Sequence, residues 1–487
     1  MIAYHHYLSD SAANHPRTSR VTWFVIVYVL INAFVIFSPL AHAAVVIYPA
    51  SSFLICLFLI KRSKAAYAAF ACSLWFITPF IRRLAEWRGG GTLTAVMIAP
   101  YVAICVAGLA LVPRLSQVLT RRTMPLLFAL AAVCYGIFVG ILHLKFTGLP
   151  QAVIAWVLPP IFALFLFGER TGYEAIYKAF ERTMVAGLFV IGAYGIYQFF
   201  LLPEWDAQWM IQSDLQSIGL PEPFQVRVFS TLNSPQVFGA FCAAGLLIAL
   251  RSNLKIRYFA IPVGFISLIL SLSRTAWMGL SAGIIYVFCM ISNRQRVRIV
   301  MAAGCCFAVS LVALQVPEVK SIVTMRFNSL TDPQHDSSYE ARVHDYNTVV
   351  QTMIDNPFGH GLSADASSGD QSDPAEAVVQ QDSSITAALF SLGILGTVIF
   401  ALGLLLLGFG IFSKQESSSA LTGARAMLLS LAIEAPFNNV ISGPIAFLLW
   451  CCVGLCIAEC DILSVPIHNQ SPIERQPSTS PSAAVAS

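Results

Sequence analysis

Long apolar stretches, separated by short polar or basic segments, recur from Val21 almost to Asp461. A helix of about 20 residues spans a hydrocarbon core of about 30 Å, so each stretch predicts one membrane-spanning helix. Fourteen candidate spans lie at residues 21–37, 40–60, 65–81, 92–112, 124–144, 150–167, 183–202, 236–250, 258–273, 275–292, 299–316, 384–412, 424–441 and 443–460. The pattern predicts an all-α fold, a polytopic membrane helix bundle of about 12–14 transmembrane helices with a large extracytoplasmic loop containing helices.

The composition agrees with this pattern and excludes two other classes of protein. Of the 487 residues, 57% are hydrophobic and 11% are charged, whereas soluble domains carry about 25% charged residues. The formal net charge of +4 is small and is dispersed among apolar stretches, which excludes a nucleic-acid-binding surface. We therefore expect the lipid bilayer to surround most of the chain, and we expect no nucleic-acid partner.

Basic residues set the predicted orientation, because Lys and Arg in short loops resist translocation. With residues 1–20 in the cytoplasm, most basic clusters between spans fall on the cytoplasmic side, but Arg82, Arg83 and Arg88 do not. Chemistry is expected in the extracytoplasmic loops. The predicted division is a cytoplasmic N-terminal segment (1–20), a transmembrane bundle (21–316) with a short extracytoplasmic loop at 203–235, a large extracytoplasmic loop (317–383), C-terminal transmembrane helices (384–460) and a disordered tail (461–487).

The large loop is acidic, with eleven Asp and Glu side chains against three Lys and Arg. A solvated loop accounts for most of these charges. Within the loop, residues 338–354 predict a helix whose apolar stripe packs on the membrane domain, and Asn356-Pro-Phe-Gly-His-Gly361 ends that helix. The stripe consists of Tyr339, Val343, Tyr346, Val350 and Met353 or Ile354.

Isolated arginines lie on the predicted extracytoplasmic side. Arg274 stands between two apolar runs, Arg227 precedes a span that begins Asn233-Ser234-Pro235, and Arg342 and Arg326 lie in the large loop. A guanidinium binds phosphate oxygens in a two-pronged fork, and a helix N-terminus also attracts anions. The four arginines therefore predict a site for a lipid-linked diphosphate. For Arg274 the alternative is an interfacial arginine that reaches toward lipid phosphates.

The order of these residues resembles that of the O-antigen ligase and Wzy-type polymerase superfamily, from about residue 200 to residue 412. The most specific motif begins the span after the large loop. In O-antigen ligases, a His is followed by Asn, Ser or Gln, then nine residues, then Gly-x-x-Gly-Thr. This chain has Asp382-Ser383, nine residues, and Gly393-Ile-Leu-Gly396-Thr397, so it departs from the motif at the first position.

The resemblance implies a glycosyltransferase that polymerises undecaprenyl diphosphate-linked oligosaccharide repeat units of an exopolysaccharide or O-antigen. It implies action on the periplasmic side of the bacterial inner membrane, without a metal or other cofactor. Its partners would be the lipid-linked donor and acceptor glycans, the bilayer, and a flippase and chain-length or export proteins. The residues implied for binding the donor diphosphate are Arg227, Arg274, Arg342 and Arg326.

Asp382 is the candidate catalytic residue, as a proton acceptor or as a group that orients a sugar hydroxyl. The alternative role is a helix cap, together with Ser383 or Ser384. Because His stands at this position in the ligases, Asp382 favours a polymerase over transfer of glycan to lipid A core. A transporter or flippase would also have many spans and few charges, but the clustering of arginines toward one side favours the enzyme.

An intramembrane carboxylate and a group of aromatic residues lead to two further predictions. Glu434, beside Pro436, is an intramembrane carboxylate that we expect to make local hydrogen bonds at a broken helix. Trp205, Trp209 and Phe224 in the first extracytoplasmic loop are expected to anchor in lipid headgroups or to stack on sugar rings.

Overall fold

The computed structural model describes residues 15–143, 148–213, 218–297, 383–413 and 418–464, and single positions or short runs within 300–315 and 346–362. Further helical residues lie between 300 and 311 and between 346 and 354. The chain is an all-α polytopic membrane bundle, as its apolar pattern predicts. Its helices are α1 (His15–Phe37), α2 (Ala44–Arg62), α3 (Lys64–Gly89), α4 (Ala99–Leu111), α5 (Leu115–Val118), α6 (Met124–Leu142), α7 (Leu149–Gly168), α8 (Tyr173–Leu201), α9 (Glu204–Ser213), α10 (Pro235–Arg251), α11 (Arg257–Leu270), α12 (Arg274–Met290), α13 (Ser384–Phe412), α14 (Ser419–Glu434) and α15 (Gly443–Ile462).

The helices have the length and surface that a bilayer requires. Within the described ranges, eight helical stretches are long and apolar enough to cross a membrane, and four shorter apolar helices accompany them. Large apolar side chains such as Phe34, Leu405 and Phe409 are more than two-thirds exposed in the isolated chain. Hydrocarbon is the solvent that suits such a surface. Thirteen of the fourteen predicted spans coincide with helices, and most of the span predicted at 299–316 lies outside the described residues.

Two helices end elsewhere than the apolar pattern predicts. α3 continues past residue 81 to Gly89, so Arg82, Arg83 and Arg88 belong to its last turns rather than to a loop. α14 ends at Glu434 instead of residue 441, because Pro436 has no N–H for the next helical hydrogen bond.

Ion pairs and hydrogen bonds join helix ends at one end of the bundle, which we call the basic end. The Lys64 ammonium at the start of α3 pairs with Glu169, which follows α7. Arg122, before α6, pairs with Asp461 near the end of α15 at 2.9 Å. Ser419 at the start of α14 donates to the carbonyl of Arg251, the last residue of α10, at 3.1 Å.

The opposite end, which we call the site end, gathers the C-termini of α3 and α8 and the N-termini of α10, α12 and α13. Here Arg83 near the end of α3 pairs with Asp206 of α9. The segment that follows α14 contacts the starts of two other helices, because Asn438 bonds Thr275 of α12 and its carbonyl accepts from Ser384 of α13. Residues 203–213, 218–235 and 356–362 also lie at this end.

Candidate functional site

Arg227 lies on an extended segment that packs against the turn between α11 and α12. The N–H of Arg227 donates to Ile218 O at 2.9 Å, and the N–H of Val228 donates to Leu270 O at 3.2 Å. The half-buried guanidinium of Arg227 reaches across to Leu272 O, with Nη2 at 3.4 Å. The backbone thus holds Arg227 beside the turn that precedes Arg274.

The turn itself is a tight break between two helices. α11 ends at Leu270, Leu272 adopts a left-handed backbone with φ +55°, and α12 begins at Arg274. Ser271 stabilises the turn by donating to Leu268 O at 2.6 Å and accepting from the N–H of Ser273 at 3.3 Å. Arg274 is therefore a half-buried first residue of a helix, two residues from the carbonyl that Arg227 contacts.

α10 packs against this turn near the start of α12, and Asn438 links the start of α13 to that of α12. Ser234 caps α10 by accepting from the N–H of Gln236 at 3.2 Å, and Ser383 caps α13 by accepting from Ile385 N at 3.2 Å. Gly239 of α10 faces Ser273, where a Cβ at position 239 would lie 2.9 Å from the Ser273 Cβ. Each N-terminus carries a partial positive charge, which favours an anion nearby.

A buried polar cluster ties the start of α12 to α13 and α14. Asn438 donates from Nδ2 to Thr275 Oγ1 and to Glu434 Oε2, each at 3.0 Å. Ser384 Oγ donates to Asn438 O at 2.8 Å. The fully buried Glu434 carboxylate also accepts from Ser430 Oγ at 3.4 Å, so it makes the local hydrogen bonds expected of it.

Gly279 explains how Glu434 approaches α12 so closely. A Cβ at position 279 would lie 2.7 Å from Glu434 Oε1, so only glycine leaves room for the carboxylate. The cluster orients the first turn of α12, on which Arg274 stands.

The first glycine of the motif after the large loop, Gly393, is required by the backbone conformation at that position. Gly393 breaks α13 with φ +65° and ψ −173°, a conformation that L side chains rarely adopt. Into this break fits the Asn356–Gly361 segment, whose Pro357 O accepts from Ile394 N at 3.0 Å. A Cβ on Gly359 would lie 2.4 Å from Gly393 N. The two backbones touch, which requires glycine on both sides.

His360 takes part in the same contact. Its N–H donates to Phe390 O at 2.9 Å, and its half-buried ring stacks on that of Phe390 with 4.3 Å between ring centroids. Its carbonyl lies 3.3 Å from His143 Nδ1, just beyond α6. His360 is thus part of the packing between the loop, α13 and the end of α6.

The described part of the loop helix packs on α13, as predicted. Val349 and Met353 are buried against Phe390, while Ile354 is 75% exposed, so Met353 completes the stripe. The hydroxyl of Tyr346 donates to Pro436 O at 2.8 Å and lies 3.0 Å from Ser383 Oγ. Of the predicted stripe, Tyr339, Val343 and Val350 lie outside the described residues.

Three of the predicted site residues also lie outside the described residues, namely Arg326, Arg342 and Asp382. Arg227 contacts the carbonyl of Leu272, two residues before Arg274, and Ser383 caps α13. In the described ranges, no three His, Cys, Asp or Glu side chains are grouped as metal ligands would be. Arg227 and Arg274 lie near the start of α12, to which the buried Glu434 carboxyl is also linked through Asn438.

Arg83 and Asp206 form a fully buried ion pair that the sequence analysis missed. Arg83 Nη1 lies 2.9 Å from Asp206 Oδ1, and neither side chain is exposed. Burial raises the pKa of the Asp206 carboxyl, whereas the Arg83 guanidinium and hydrogen bonds from Gln198 and Tyr194 oppose that shift. The signal for this pair was the exception to the orientation rule, because Arg83 was one of three basic residues on the predicted extracytoplasmic side.

The prediction for Trp209 is wrong, because its side chain is only 6% exposed and packs on Phe229, with 5.2 Å between ring centroids. A ring enclosed in this way has no face for headgroups or sugars. Trp205 donates from Nε1 to the hydroxyl of Tyr194 at 2.7 Å, and Phe224 packs edge-on against two phenylalanines of α8. These aromatic residues build the support beneath the Arg227 segment.

Comparison with known proteins finds a similarity in the second half of the bundle. Residues 259–401, from α11 to the kinked helix α13, match the family model described as O-antigen ligase. No curated protein matches the chain. The matched region contains Arg274, the turn that Arg227 contacts and the Gly393 break. The chain is therefore a multi-pass membrane protein in which residues 259–401 resemble an O-antigen ligase domain.

Proposed function

We propose that this membrane enzyme polymerises undecaprenyl diphosphate-linked oligosaccharide repeat units into exopolysaccharide or O-antigen. The observation that carries the proposal is the contact of Arg227 with the turn that begins α12, where Arg274 stands. A guanidinium at the turn and a second arginine at the N-terminus of α12 favour a diphosphate over a neutral ligand. The O-antigen ligase family supports a lipid-linked glycan as the source of that diphosphate.

For glycosyl transfer, the protein mainly has to bind the donor diphosphate and align the acceptor hydroxyl with the anomeric carbon. A sugar bonded to a diphosphate already has a good leaving group. Arg227 and Arg274 hold the diphosphate and stabilise the charge that grows on it as the bond to the anomeric carbon breaks. A hydroxyl of the second glycan attacks that carbon from the opposite face, with inversion, and alignment of the two substrates lowers the barrier further.

Asp382 is the proposed acceptor of the hydroxyl proton. It directly precedes Ser383, the residue that caps α13. Since Ser383 already fills the capping role, Asp382 is not needed for it. Arg342 and Arg326 are proposed as further contacts to the donor diphosphate.

The site end is proposed to face the periplasm of a bacterium, with the basic end in the cytoplasm. The basic end carries Lys64, Arg114, Arg122 and Arg170 around two acidic residues, and basic ends of membrane proteins remain in the cytoplasm. A lipid-linked donor would then enter from the outer leaflet of the inner membrane.

Ligation of a glycan to lipid A core or another acceptor is the second candidate function, because the matched family is described as O-antigen ligase. The Asp at position 382 favours the polymerase, since ligases of the family carry His there. The donor site would be the same in both enzymes, and only the acceptor would differ.

Purified protein incubated with lipid-linked repeat units tests the proposal. A ladder of lipid-linked oligomers, formed also in excess EDTA, is the expected result. Single repeats that remain unchanged, while lipid A core accepts glycan, would favour the ligase. Repeats that only change leaflet in proteoliposomes would favour a flippase, and a strict need for a divalent metal would contradict the mechanism.

A further inference from the structure

Arg83 and Gln198 contact Phe229 and Ser230, two and three residues after Arg227, and Asp206 binds both Arg83 and Gln198. We propose that the side chains of Arg83, Gln198 and Asp206, here called the Arg83 clamp, position Arg227 for the donor diphosphate. They are positioning residues, because their contacts are with the protein and not with the proposed ligand. The proposal rests on the proposed function for the identity of the ligand, but the geometry of the clamp does not depend on it.

The clamp binds both backbone polar groups of Ser230, and the carbonyl of Ile191 binds its hydroxyl. Gln198 Oε1 accepts from Ser230 N at 2.8 Å, an Arg83 Nη2 donates to Ser230 O, and Ser230 Oγ donates to Ile191 O at 2.5 Å. The backbone of Ser230 is left-handed, with φ +54°, which is costly for a non-glycine residue. Such a conformation persists only because its surroundings enforce it.

The same glutamine reaches one residue closer to Arg227. Gln198 Oε1 also accepts from Phe229 N at 3.1 Å, while its Nε2 donates to Asp206 Oδ2 at 2.6 Å. Asp206 in turn pairs with Arg83. A single connected network therefore fixes the two residues that follow Val228, next to Arg227.

Three aromatic rings pack around the Arg83 guanidinium. The guanidinium carbon lies 4.8 Å from the ring centroid of Phe229 and 5.8 Å from those of Trp209 and Phe80. Aromatic faces attract a desolvated cation. Arg83 thus joins the Arg227 segment to the ends of α3 and α9 as one rigid body.

A merely structural ion pair and a positioning clamp respond differently to substitution. Replacing both members of a buried ion pair with apolar residues is often neutral for stability. The double variant Arg83→Leu/Asp206→Leu removes both charges, yet it also deprives Ser230 O of its donor and Gln198 of its anchor. We expect a folded membrane protein whose Arg227 segment is loosened.

Amide hydrogen exchange in nanodiscs, together with binding of undecaprenyl diphosphate, tests the clamp. We expect exchange of the Phe229 and Ser230 amides to accelerate about tenfold or more in the double variant, and the affinity for undecaprenyl diphosphate to fall by a similar factor. Arg82→Leu is the matched control on the same helix turn, because Arg82 pairs with Glu86 and not with the clamp. It should change neither quantity.

A second variant guards against misfolding of the first. Gln198→Met keeps the ion pair and the approximate side-chain volume but removes the acceptor of both amides, so it should accelerate the same exchange and weaken the same binding. Unchanged exchange in both variants, or faster exchange with full affinity, overturns the clamp. Wild-type protein that binds no undecaprenyl diphosphate would instead contradict the proposed function, and the exchange rates would still decide whether the clamp holds the segment.

Discussion

The two ends of the bundle use the same residue type in different ways. At the basic end, Arg122 and Arg170 are each about a third exposed and share the carboxylate of Asp461. At the site end, Arg83 is wholly buried, and Arg227 and Arg274 are half-buried beside a break between two helices. Ion pairs that are partly exposed to solvent contribute little to the free energy of unfolding. The backbone of the extended segment and of the turn positions Arg227 and Arg274. Binding a ligand in one orientation requires side chains positioned in this way.

Removing a site-end arginine should have the largest effect. Arg274→Ala and Arg227→Ala should each lower the rate of oligomer formation about 100-fold or more, because a charge-assisted contact to the leaving diphosphate is lost. Lysine in either position should rescue poorly, since an ammonium cannot form the two-pronged contact. The rate is read from the ladder formed by purified protein, and a full ladder from Arg274→Ala would remove the anion-site argument.

Asp382→Asn separates proton transfer from capping. We expect activity to fall about 100-fold if Asp382 accepts the hydroxyl proton, while thermal stability stays unchanged, because Ser383 provides the cap. Asparagine caps a helix as well as aspartate does, so retained activity would assign Asp382 a structural role. Activity and melting temperature are measured on the same preparation.

The polar cluster beneath Arg274 should show a smaller effect on stability. Glu434→Leu leaves the buried Asn438 amide without one of its acceptors, which should cost about 1–3 kcal/mol of unfolding free energy. Glu434→Gln retains an oxygen for Asn438 and should cost less. Thermal unfolding in detergent, followed by size-exclusion chromatography, distinguishes the two variants, and equal losses would show that the negative charge itself matters.

The basic end should respond least. Arg122→Ala should change stability by about 0–1 kcal/mol, because its ion pair with Asp461 is partly exposed, and it should leave the oligomer ladder intact. Activity that falls as steeply as in Arg274→Ala would erase the distinction between the two ends.

Sequence reasoning reached the helices because hydropathy is a local property. It also predicted a shared site for Arg227 and Arg274, and the structure adds that Arg227 contacts the turn two residues before Arg274. It missed the Arg83 clamp, whose members come from α3, α8 and α9, because an apolar pattern does not say which distant residues meet. α3 was assigned too short a length for the same reason: Arg82 and Arg83 end a hydropathic run but not a helix whose charges are paired by Glu86 and Asp206.

Trp209 illustrates the opposite failure. A tryptophan near a predicted membrane surface suggests headgroup contact, yet this one is enclosed by Phe229 and the Arg83 guanidinium. The tertiary packing of Trp209 depends on residues distant in sequence, which local sequence does not reveal.

A structure of the protein with bound undecaprenyl diphosphate tests the central claim most directly. We predict that the diphosphate lies at the site end, with phosphate oxygens within hydrogen-bond distance of Arg227 and Arg274 and the prenyl chain leading out between helices. A diphosphate bound at the basic end, or one bound at the site end with both guanidinium groups turned away from it, would contradict the account.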